Sequence, residues 1–289
     1  MRKHVEALLV LTILAAIPCT RSIIWPAAAA AEELVRFEGG PSLLDLIRQR
    51  QARERGEAPL PPSETIAGYL SKPDGNGPFP AIVYLHGCGG LSESTRRRIA
   101  ELMTGWGYAV LAVDSFATRG IEHACTQDMP RRRGDAQGAL RHLAGLGFID
   151  RDRIALVGAS QGAGIALQIA SARSPDPTAI PQQPTFKAVV AYYPPCSVAA
   201  EQLTIPAIIL IGEVDDWTPA SDCERWMERR AGKGAPVKLV VFPRAYHAFD
   251  NPRAMIGGRY FGHWMKYDAD AAARASGEMH DFLSAEFAK

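Results

Sequence analysis

Short apolar runs alternate with longer helical stretches from about residue 64 to the end of the chain. The apolar runs predict strands at residues 64–70, 81–85, 108–113, 153–157, 187–193, 207–211 and 237–242. The stretches between them predict helices at residues 92–106, 131–146, 163–172, 220–231 and 268–287. Strands that are apolar throughout are typical of a sheet covered on both faces. The pattern therefore predicts an α/β fold with a mostly parallel central sheet and helices on both faces.

The first 62 residues do not follow this alternation. Residues 1–31 are typical of an export signal, with a positive start, an apolar stretch of about 12 residues and a run of small residues at 27–31. The apolar stretch is shorter than the roughly 20 residues of a membrane-spanning helix. We expect a mobile lead-in at residues 32–62 with one helix at 42–55. One domain, residues 63–289, then follows, and its first strand is expected at a sheet edge.

The composition is that of a soluble globular protein, with 47% apolar and 22% charged residues. A net charge of +1 gives no electrostatic reason to expect nucleic acid as a partner. Arginine clusters at residues 96–98 and 131–133 are explained as solvated faces of helices. The export signal predicts a periplasmic or secreted protein without a stable membrane span. Nothing in the sequence fixes the oligomeric state.

Five cysteines are present, and four remain if Cys19 leaves with the signal. A lipid anchor at Cys19 is the alternative, although the proline before it is unlike the small residue that such signals carry. Four cysteines in an oxidising compartment indicate disulfides, for which three pairings are possible. Cys88 and Cys125 each follow one of two successive predicted strands, and Cys196 and Cys223 each follow one of two later successive strands. We therefore expect the disulfides Cys88–Cys125 and Cys196–Cys223. Four free thiols are the alternative, and the spacings fit no zinc motif.

The segment Gly158-Ala159-Ser160-Gln161-Gly162 joins a predicted strand directly to a predicted helix. A serine at the apex of such a turn is exposed, and the glycines let the strand and the helix approach each other. The N-terminus of the helix also directs N–H groups towards developing negative charge. Ser160 is therefore a candidate nucleophile, whereas a helix cap would be its structural role.

A serine hydroxyl needs a base, and the base needs a group that orients it. Asp215 and His247 each follow a predicted strand, at the same sheet edge as Ser160. The chain order is nucleophile, acid, base, as in α/β-hydrolases. Asp216 is the competing acid, but Asp215 lies three residues after Gly212, and Asp216 is expected to cap the next helix. We predict a triad of Ser160, Asp215 and His247.

An oxyanion hole is expected from two backbone N–H groups. The residue after the nucleophile, Gln161, supplies the first of these donors. The second is expected in the glycine-rich segment at residues 86–91, where we select the N–H of Cys88. We expect His86 to anchor this loop without moving protons. No Lys-Ser or Lys-Thr pair follows the glycines, so the loop is not a phosphate cradle.

Taken together, these motifs resemble the dienelactone hydrolases, a family of the α/β-hydrolase superfamily. The resemblance covers about residues 63–287. The matching segments are residues 86–91, 114–116, 158–162, 212–219 and 246–249. The resemblance implies the α/β-hydrolase fold, hydrolysis of a small-molecule carboxylic ester through an acyl-enzyme, and no cofactor or metal.

The chain departs from the family pattern at the nucleophile, where Ser160 stands in place of the archetypal cysteine. This change favours general serine-esterase behaviour over dienelactone as the substrate. The archetypal members are also cytosolic, whereas this chain carries an export pattern. Arg119 lies near the position of a family arginine that holds a substrate carboxylate, and a solvated loop residue is the alternative. Trp217 and His123 are candidates to line the pocket or to pack structurally.

Two other functional classes stay open at this point. A peptidase or acyltransferase on the same fold would use the same triad, although the chain has no room for the propeller that many such peptidases carry. A non-catalytic binding protein on a hydrolase fold is the second alternative, because fold alone does not prove activity.

Overall fold

The computed structural model describes residues 32–40, 43–57, 64–126, 132–171 and 184–289, and the predicted export signal lies outside them. Eight strands form one sheet, in the order β1-β2-β4-β3-β5-β6-β7-β8. The strands are β1 (Glu33–Glu38), β2 (Thr65–Ser71), β3 (Phe79–Leu85), β4 (Ala109–Asp114), β5 (Ile149–Ala159), β6 (Val189–Tyr192), β7 (Ala207–Gly212) and β8 (Val237–Phe242). Strands β3 to β8 are parallel, and β2 is antiparallel to both of its neighbours.

The described residues form six α-helices, and four of them connect successive parallel strands, as the sequence pattern predicts. They are α1 (Leu43–Glu54), α2 (Glu93–Gly105), α3 (Arg132–Ala144), α4 (Gln161–Ala170), α5 (Ala220–Arg229) and α6 (Ala269–Phe287). Every residue of β4, β6 and β7 is buried, including neighbours whose side chains point to opposite faces. Both faces of the sheet are therefore covered, and the predicted α/β fold with a mostly parallel sheet is confirmed. Among the described residues, no helix combines the length and the apolar character needed to cross a bilayer.

Strand β1 is the main difference from the expected organisation. Residues 32–62 were expected to be a lead-in with one helix, but Glu33–Glu38 pairs antiparallel with β2 and forms the edge of the sheet. The expectation that residues 64–70 form the edge strand is therefore wrong. Only Phe37 of β1 is buried, so the apolar signal of this strand is weak. Helix α1 lies within the predicted range of residues 42–55.

A short hairpin after β8 was not predicted either. It consists of β9 (Gly258–Tyr260) and β10 (His263–Met265), joined by the two residues Phe261 and Gly262. Met265 forms an isolated bridge with His247, which places the hairpin beside one of the predicted catalytic residues.

Two disulfides are present, Cys88–Cys125 and Cys196–Cys223, and they are the two expected pairs. The first links the loop after β3 to the loop after β4, and the second links the segment after β6 to α5. The first bridge therefore ties together two loops that follow neighbouring strands, and the second ties such a segment to a helix.

Candidate active site

Ser160 lies at the sharp turn between β5 and α4. Its backbone has φ of 53° and ψ of −117°, a conformation that L-residues rarely adopt. The flanking glycines explain how the turn fits, because a Cβ on Gly158 would lie 2.4 Å from the Gly162 carbonyl oxygen. A Cβ on Gly162 would lie 2.3 Å from the carbonyl oxygen of Leu85, at the end of β3. Strand, helix and the loop after β3 can therefore meet only with glycine at these positions.

The structure brings Ser160, His247 and Asp215 into one hydrogen-bonded line. Nε2 of His247 lies 3.0 Å from Oγ of Ser160, and Nδ1 lies 2.8 Å from Oδ2 of Asp215. The imidazole and the carboxylate are buried, whereas Ser160 is half-buried and reaches the surface of the site. A carboxylate can only accept, so Nδ1 of His247 carries the proton and Nε2 is free to accept one from the serine.

Asp215 is held by groups that its own loop supplies. The N–H groups of Trp217 and Thr218 each donate to Oδ1 at 2.9 Å, and Oγ1 of Thr218 donates to Oδ2 at 2.9 Å. These donors fix the orientation of the carboxylate towards His247. Thr218 was missed by sequence reasoning, although its spacing of three residues from the acid is the pattern of a local side-chain cap.

Asp216 has a different role from the one expected. The N-cap position of α5 is Pro219, and it makes no side-chain capping bond. Oδ1 of Asp216 instead accepts from the N–H of Trp264 at 3.0 Å, and its carbonyl oxygen lies 3.0 Å from Nδ1 of His263. Asp216 therefore fixes the β9–β10 hairpin, and the expectation that it caps the helix is wrong.

The glycine-rich loop after β3 lies against the serine. A Cβ added to Gly87 would come within 3.5 Å of the Ser160 Cβ. Nδ1 of His86 lies 2.7 Å from the Gly87 carbonyl oxygen, which can only accept, so His86 carries its proton on Nδ1. The Gly87 carbonyl belongs to the same peptide as the Cys88 N–H, and a hydrogen bond to one end of a peptide polarises its other end. His86 thus orients this N–H, in agreement with its expected anchoring role.

Arg132 donates hydrogen bonds to both segments that are expected to form the oxyanion hole. Its side chain is buried, donates to the His86 carbonyl oxygen at 2.6 Å and to Oε1 of Gln161 at 3.0 Å. Burial lowers the pKa of Arg132 to about 10, so the group is still a cation at neutral pH. The sequence placed Arg132 on a solvated helix face, and that interpretation is wrong because its guanidinium points inwards to these acceptors.

Hydrogen bonds from the loop after β4 also hold the glycine-rich loop after β3. The N–H of Ala124 donates to the Cys88 carbonyl oxygen at 2.8 Å, and Nε2 of Gln161 donates to the Ala124 carbonyl oxygen at 3.1 Å. The Cys88–Cys125 disulfide covalently joins these two loops. The segment that carries the Cys88 N–H is therefore fixed by hydrogen bonds and by a covalent link.

Arg119 is used for structure. Its guanidinium makes a bidentate ion pair with Asp135, at 2.7 and 2.8 Å, and also donates to Glu64 at 2.8 Å and to the Ser115 carbonyl oxygen at 2.6 Å. Only 8% of the side chain is exposed. Because its donors are already committed, we do not retain Arg119 as an anchor for a substrate carboxylate.

Aromatic rings surround the buried side of His247. The ring of Trp217 lies 5.0 Å from the imidazole and the ring of Tyr193 lies 4.7 Å from it, measured between centroids. The Tyr193 hydroxyl donates to Asp250 at 2.7 Å, and burial followed by the charge of Asp250 raises the pKa of Tyr193 well above its usual range. Tyr193 therefore stays protonated, and the base has neutral neighbours on these two sides.

No cluster of metal-ligating side chains occurs within the described part of the chain. The bonded arrangement of Ser160, His247 and Asp215 is one in which a hydroxyl could be activated for attack.

Comparisons with known proteins bear on the family and on the fold. Residues 66–287 match the sequence profile of the dienelactone hydrolase family. The protein named "Putative carboxymethylenebutenolidase" in Methylorubrum extorquens is 28% identical over 223 residues, covering 67% of this chain and 72% of that protein. A dienelactone hydrolase-like promiscuous phosphotriesterase from metagenomic libraries superposes with a TM-score of 0.59 at 19% identity, covering 88% and 98% of the two chains. A Pyrobaculum calidifontis esterase superposes with a TM-score of 0.61 at 16% identity, covering 88% and 83%.

A mostly parallel sheet with a serine at the turn from strand to helix defines an α/β-hydrolase. Because the family profile covers residues 66–287, the chain belongs to the dienelactone hydrolase family. The protein is thus a hydrolase that acts on carboxylic ester bonds, as the sequence motifs imply.

The protonation of His86 provides a test of the loop geometry through protein stability. Burial, and then the charge of Arg132, lower the pKa of His86 well below its usual range. Below about pH 6.5 the unfolded chain therefore binds a proton that the folded protein does not bind. Stability conferred by neutral His86 is complete above that pH and falls as the pH decreases, by up to about 1.4 kcal/mol per unit.

His86→Asn removes this titration and keeps a side-chain N–H for the Gly87 carbonyl. We expect the free energies of unfolding of wild type and variant to differ by a constant amount above about pH 7.5. Below about pH 6.5 the wild type should lose stability faster than the variant. Urea unfolding at several pH values measures both curves. Parallel curves throughout would show that His86 is not buried as a neutral side chain.

Proposed function

We propose that the protein is an exported serine esterase in which Ser160, His247 and Asp215 form the catalytic triad. The observation that carries this proposal is the continuous line of hydrogen bonds, at 3.0 and 2.8 Å, from the serine to the carboxylate. Each member comes from a different strand end, so only the folded chain assembles the line. A structural role for any one of them would not require this order and direction.

The reaction follows from the positions of the protons. Nε2 of His247 accepts the proton of Ser160 as the oxygen attacks the ester carbonyl, which gives a tetrahedral oxyanion. The imidazolium, stabilised by Asp215, then donates that proton to the leaving alcohol, and an acyl-enzyme forms. Water attacks the acyl group by the same route and releases the carboxylic acid and Ser160. No redox partner or cofactor is needed for this balance.

The N–H groups of Cys88 and Gln161 are proposed as the oxyanion hole. In the described chain, neither N–H donates to a backbone carbonyl outside the helices and strands, and Gln161 occupies the first position of α4. The bond from His86 and the bonds from Arg132 hold the two peptide segments on either side of Ser160. Removing one such donor costs about 3–4 kcal/mol of transition-state stabilisation in comparable sites.

Small-molecule esters are the proposed substrates. A serine in the place of the archetypal cysteine favours general esters over dienelactone, and the committed ion pairs of Arg119 remove the expected anchor for a substrate carboxylate. Trp217, which contacts His247, is the sequence-predicted pocket residue that we retain.

Substitutions in the triad test the proposal directly. Ser160→Ala should lower kcat on p-nitrophenyl acetate by at least about 10³-fold, because the nucleophile is lost. Asp215→Asn should lower kcat by about 10³- to 10⁴-fold, because the base takes the wrong tautomer. The matched control is Asp216→Asn, which keeps the oxygen that accepts from Trp264 and should retain activity. Turnover by Ser160→Ala at the wild-type rate would refute the assignment.

The same assay separates the alternatives. A fluorophosphonate probe should label Ser160 in the wild type and in Asp216→Asn, and should not label Ser160→Ala. No labelling and no turnover on a broad ester panel would favour a binding protein. Faster turnover of peptides than of esters would favour a peptidase.

We also propose that the mature protein is periplasmic or secreted, with its signal removed near residue 31. The signal pattern and the two disulfides support this proposal, because disulfides persist in oxidising compartments. Protein recovered from the periplasm or the medium should begin near residue 32. Its intact mass should be that of a chain with both bridges closed. Four alkylatable thiols on the freshly isolated native protein, or an uncleaved N-terminus, would contradict the proposal.

The Cys88–Cys125 bridge should affect catalysis as well as stability, because it fixes a proposed oxyanion donor. The pair Cys88→Ser and Cys125→Ser should lose about 2–4 kcal/mol of stability and also lower kcat at least about tenfold. The control pair is Cys196→Ser and Cys223→Ser, which opens a loop of similar length, 27 residues compared with 37. This control should lose similar stability and keep kcat within about twofold. Equal losses of kcat in both pairs would contradict a role of the first bridge in the oxyanion hole.

A further inference from the structure

Phe261, at the tip of the β9–β10 hairpin, has a backbone conformation that is unfavourable for a bulky residue. His263 pairs with Tyr260, so the turn consists of Phe261 and Gly262 alone. Both residues have positive φ, 47° for Phe261 and 90° for Gly262. Two-residue turns of this kind favour Asn or Gly at the first position, because a bulky side chain is strained there. A strained residue points to a functional role when its side chain contacts a site.

The ring of Phe261 contacts two aromatic rings, those of His123 and Trp217. Its ring centroid is 5.2 Å from that of His123, in the loop linked to the oxyanion segment. On the other side it is 6.2 Å from Trp217, whose ring contacts the imidazole of His247 at 5.0 Å. Phe261 is 44% exposed, so part of its ring is available to a ligand.

The hairpin is fixed relative to the triad. The backbone of Trp264 and the ring of His263 bind to Asp216, the neighbour of the triad acid. His263 also stacks on Trp217, with ring centroids 4.9 Å apart and planes 14° from parallel. The position of Phe261 is therefore set by the same loop that carries Asp215.

We propose that Phe261 and Trp217 form an aromatic binding face at the entrance to the ester site, and that the preferred substrates are uncharged esters with an aromatic ring near the reacting carbonyl. This proposal rests on the proposed esterase function. Aromatic rings in offset or edge contact gain more than their buried area alone provides. The aromatic face would also shield the acyl-enzyme from solvent on the side of His247.

Pairs of esters that differ only in the saturation of one ring test the proposal. The pairs are methyl phenylacetate with methyl cyclohexylacetate, and benzyl acetate with cyclohexylmethyl acetate. The wild type should prefer the aromatic member of at least one pair by about 2- to 10-fold in kcat/KM. Phe261→Leu should reduce this ratio to near one, whereas Phe261→Tyr should retain it. Trp264→Leu is the matched control on the same hairpin, because its ring contacts Tyr246, and it should retain the ratio.

Phe261→Asn separates a substrate role from a structural role. Asn tolerates the positive φ, so the Tm should be unchanged or higher by about 2–4 °C, while the aromatic preference is lost. A marked fall in Tm would show that Phe261 serves the fold. An aromatic preference that persists in both Phe261→Leu and Phe261→Asn would overturn the proposal.

Ethyl acetate separates failure of this inference from failure of the proposed function. It carries no ring, so it reports on the ester chemistry apart from the aromatic preference, and Trp264→Leu should hydrolyse it at the wild-type rate. Ser160-dependent hydrolysis of ethyl acetate without any aromatic preference in the wild type would refute the aromatic face alone. Absence of Ser160-dependent hydrolysis of every ester would refute the esterase assignment itself.

Discussion

The close backbone contacts at the turn around Ser160 are the constraint on which the rest of the site depends. The end of β3, the end of β5 and the start of α4 approach within distances that exclude even one methyl group on Gly158 or Gly162. This approach places Ser160, the first turn of α4 and the glycine-rich loop in one small volume. A similar contact occurs at Gly212, where a Cβ would lie 2.2 Å from the Ala245 carbonyl oxygen, between the acid and base loops. The distances between the reacting groups are thus set mainly by the main chain.

Much of this arrangement could be predicted from the sequence, because buried parallel strands leave a strong apolar signal and parallel strands end at one edge. Ser160, Asp215 and His247 were recognisable since each follows such a strand. Strand β1 could not be recognised from the sequence, because Phe37 is its only buried residue and its apolar signal is weak. The hairpin escaped detection because its turn sequence, Phe-Gly, is unusual for its shape.

Partnerships between distant residues could not be predicted in the same way. Arg132 is bound to main-chain and amide oxygens near Ser160, whereas Arg119 is bound to Asp135. Which acceptor a long, flexible side chain meets depends on the packing of elements far apart in the chain. The buried charge of Arg132 is stabilised by acceptors for its two terminal nitrogens, and those acceptors belong to the segments on either side of Ser160.

The loop after β7 combines four tasks in four consecutive residues. Asp215 contacts the base, Asp216 fixes the hairpin, Trp217 packs its ring on His247, and Thr218 supports the acid. Residues that share partners in this way are expected to have non-additive effects when they are changed together. A change made in this loop to alter the proposed binding face is therefore expected to alter the proposed triad as well. The hairpin tip is held by Asp216 and contacts Trp217, so the position of Phe261 depends on this same loop.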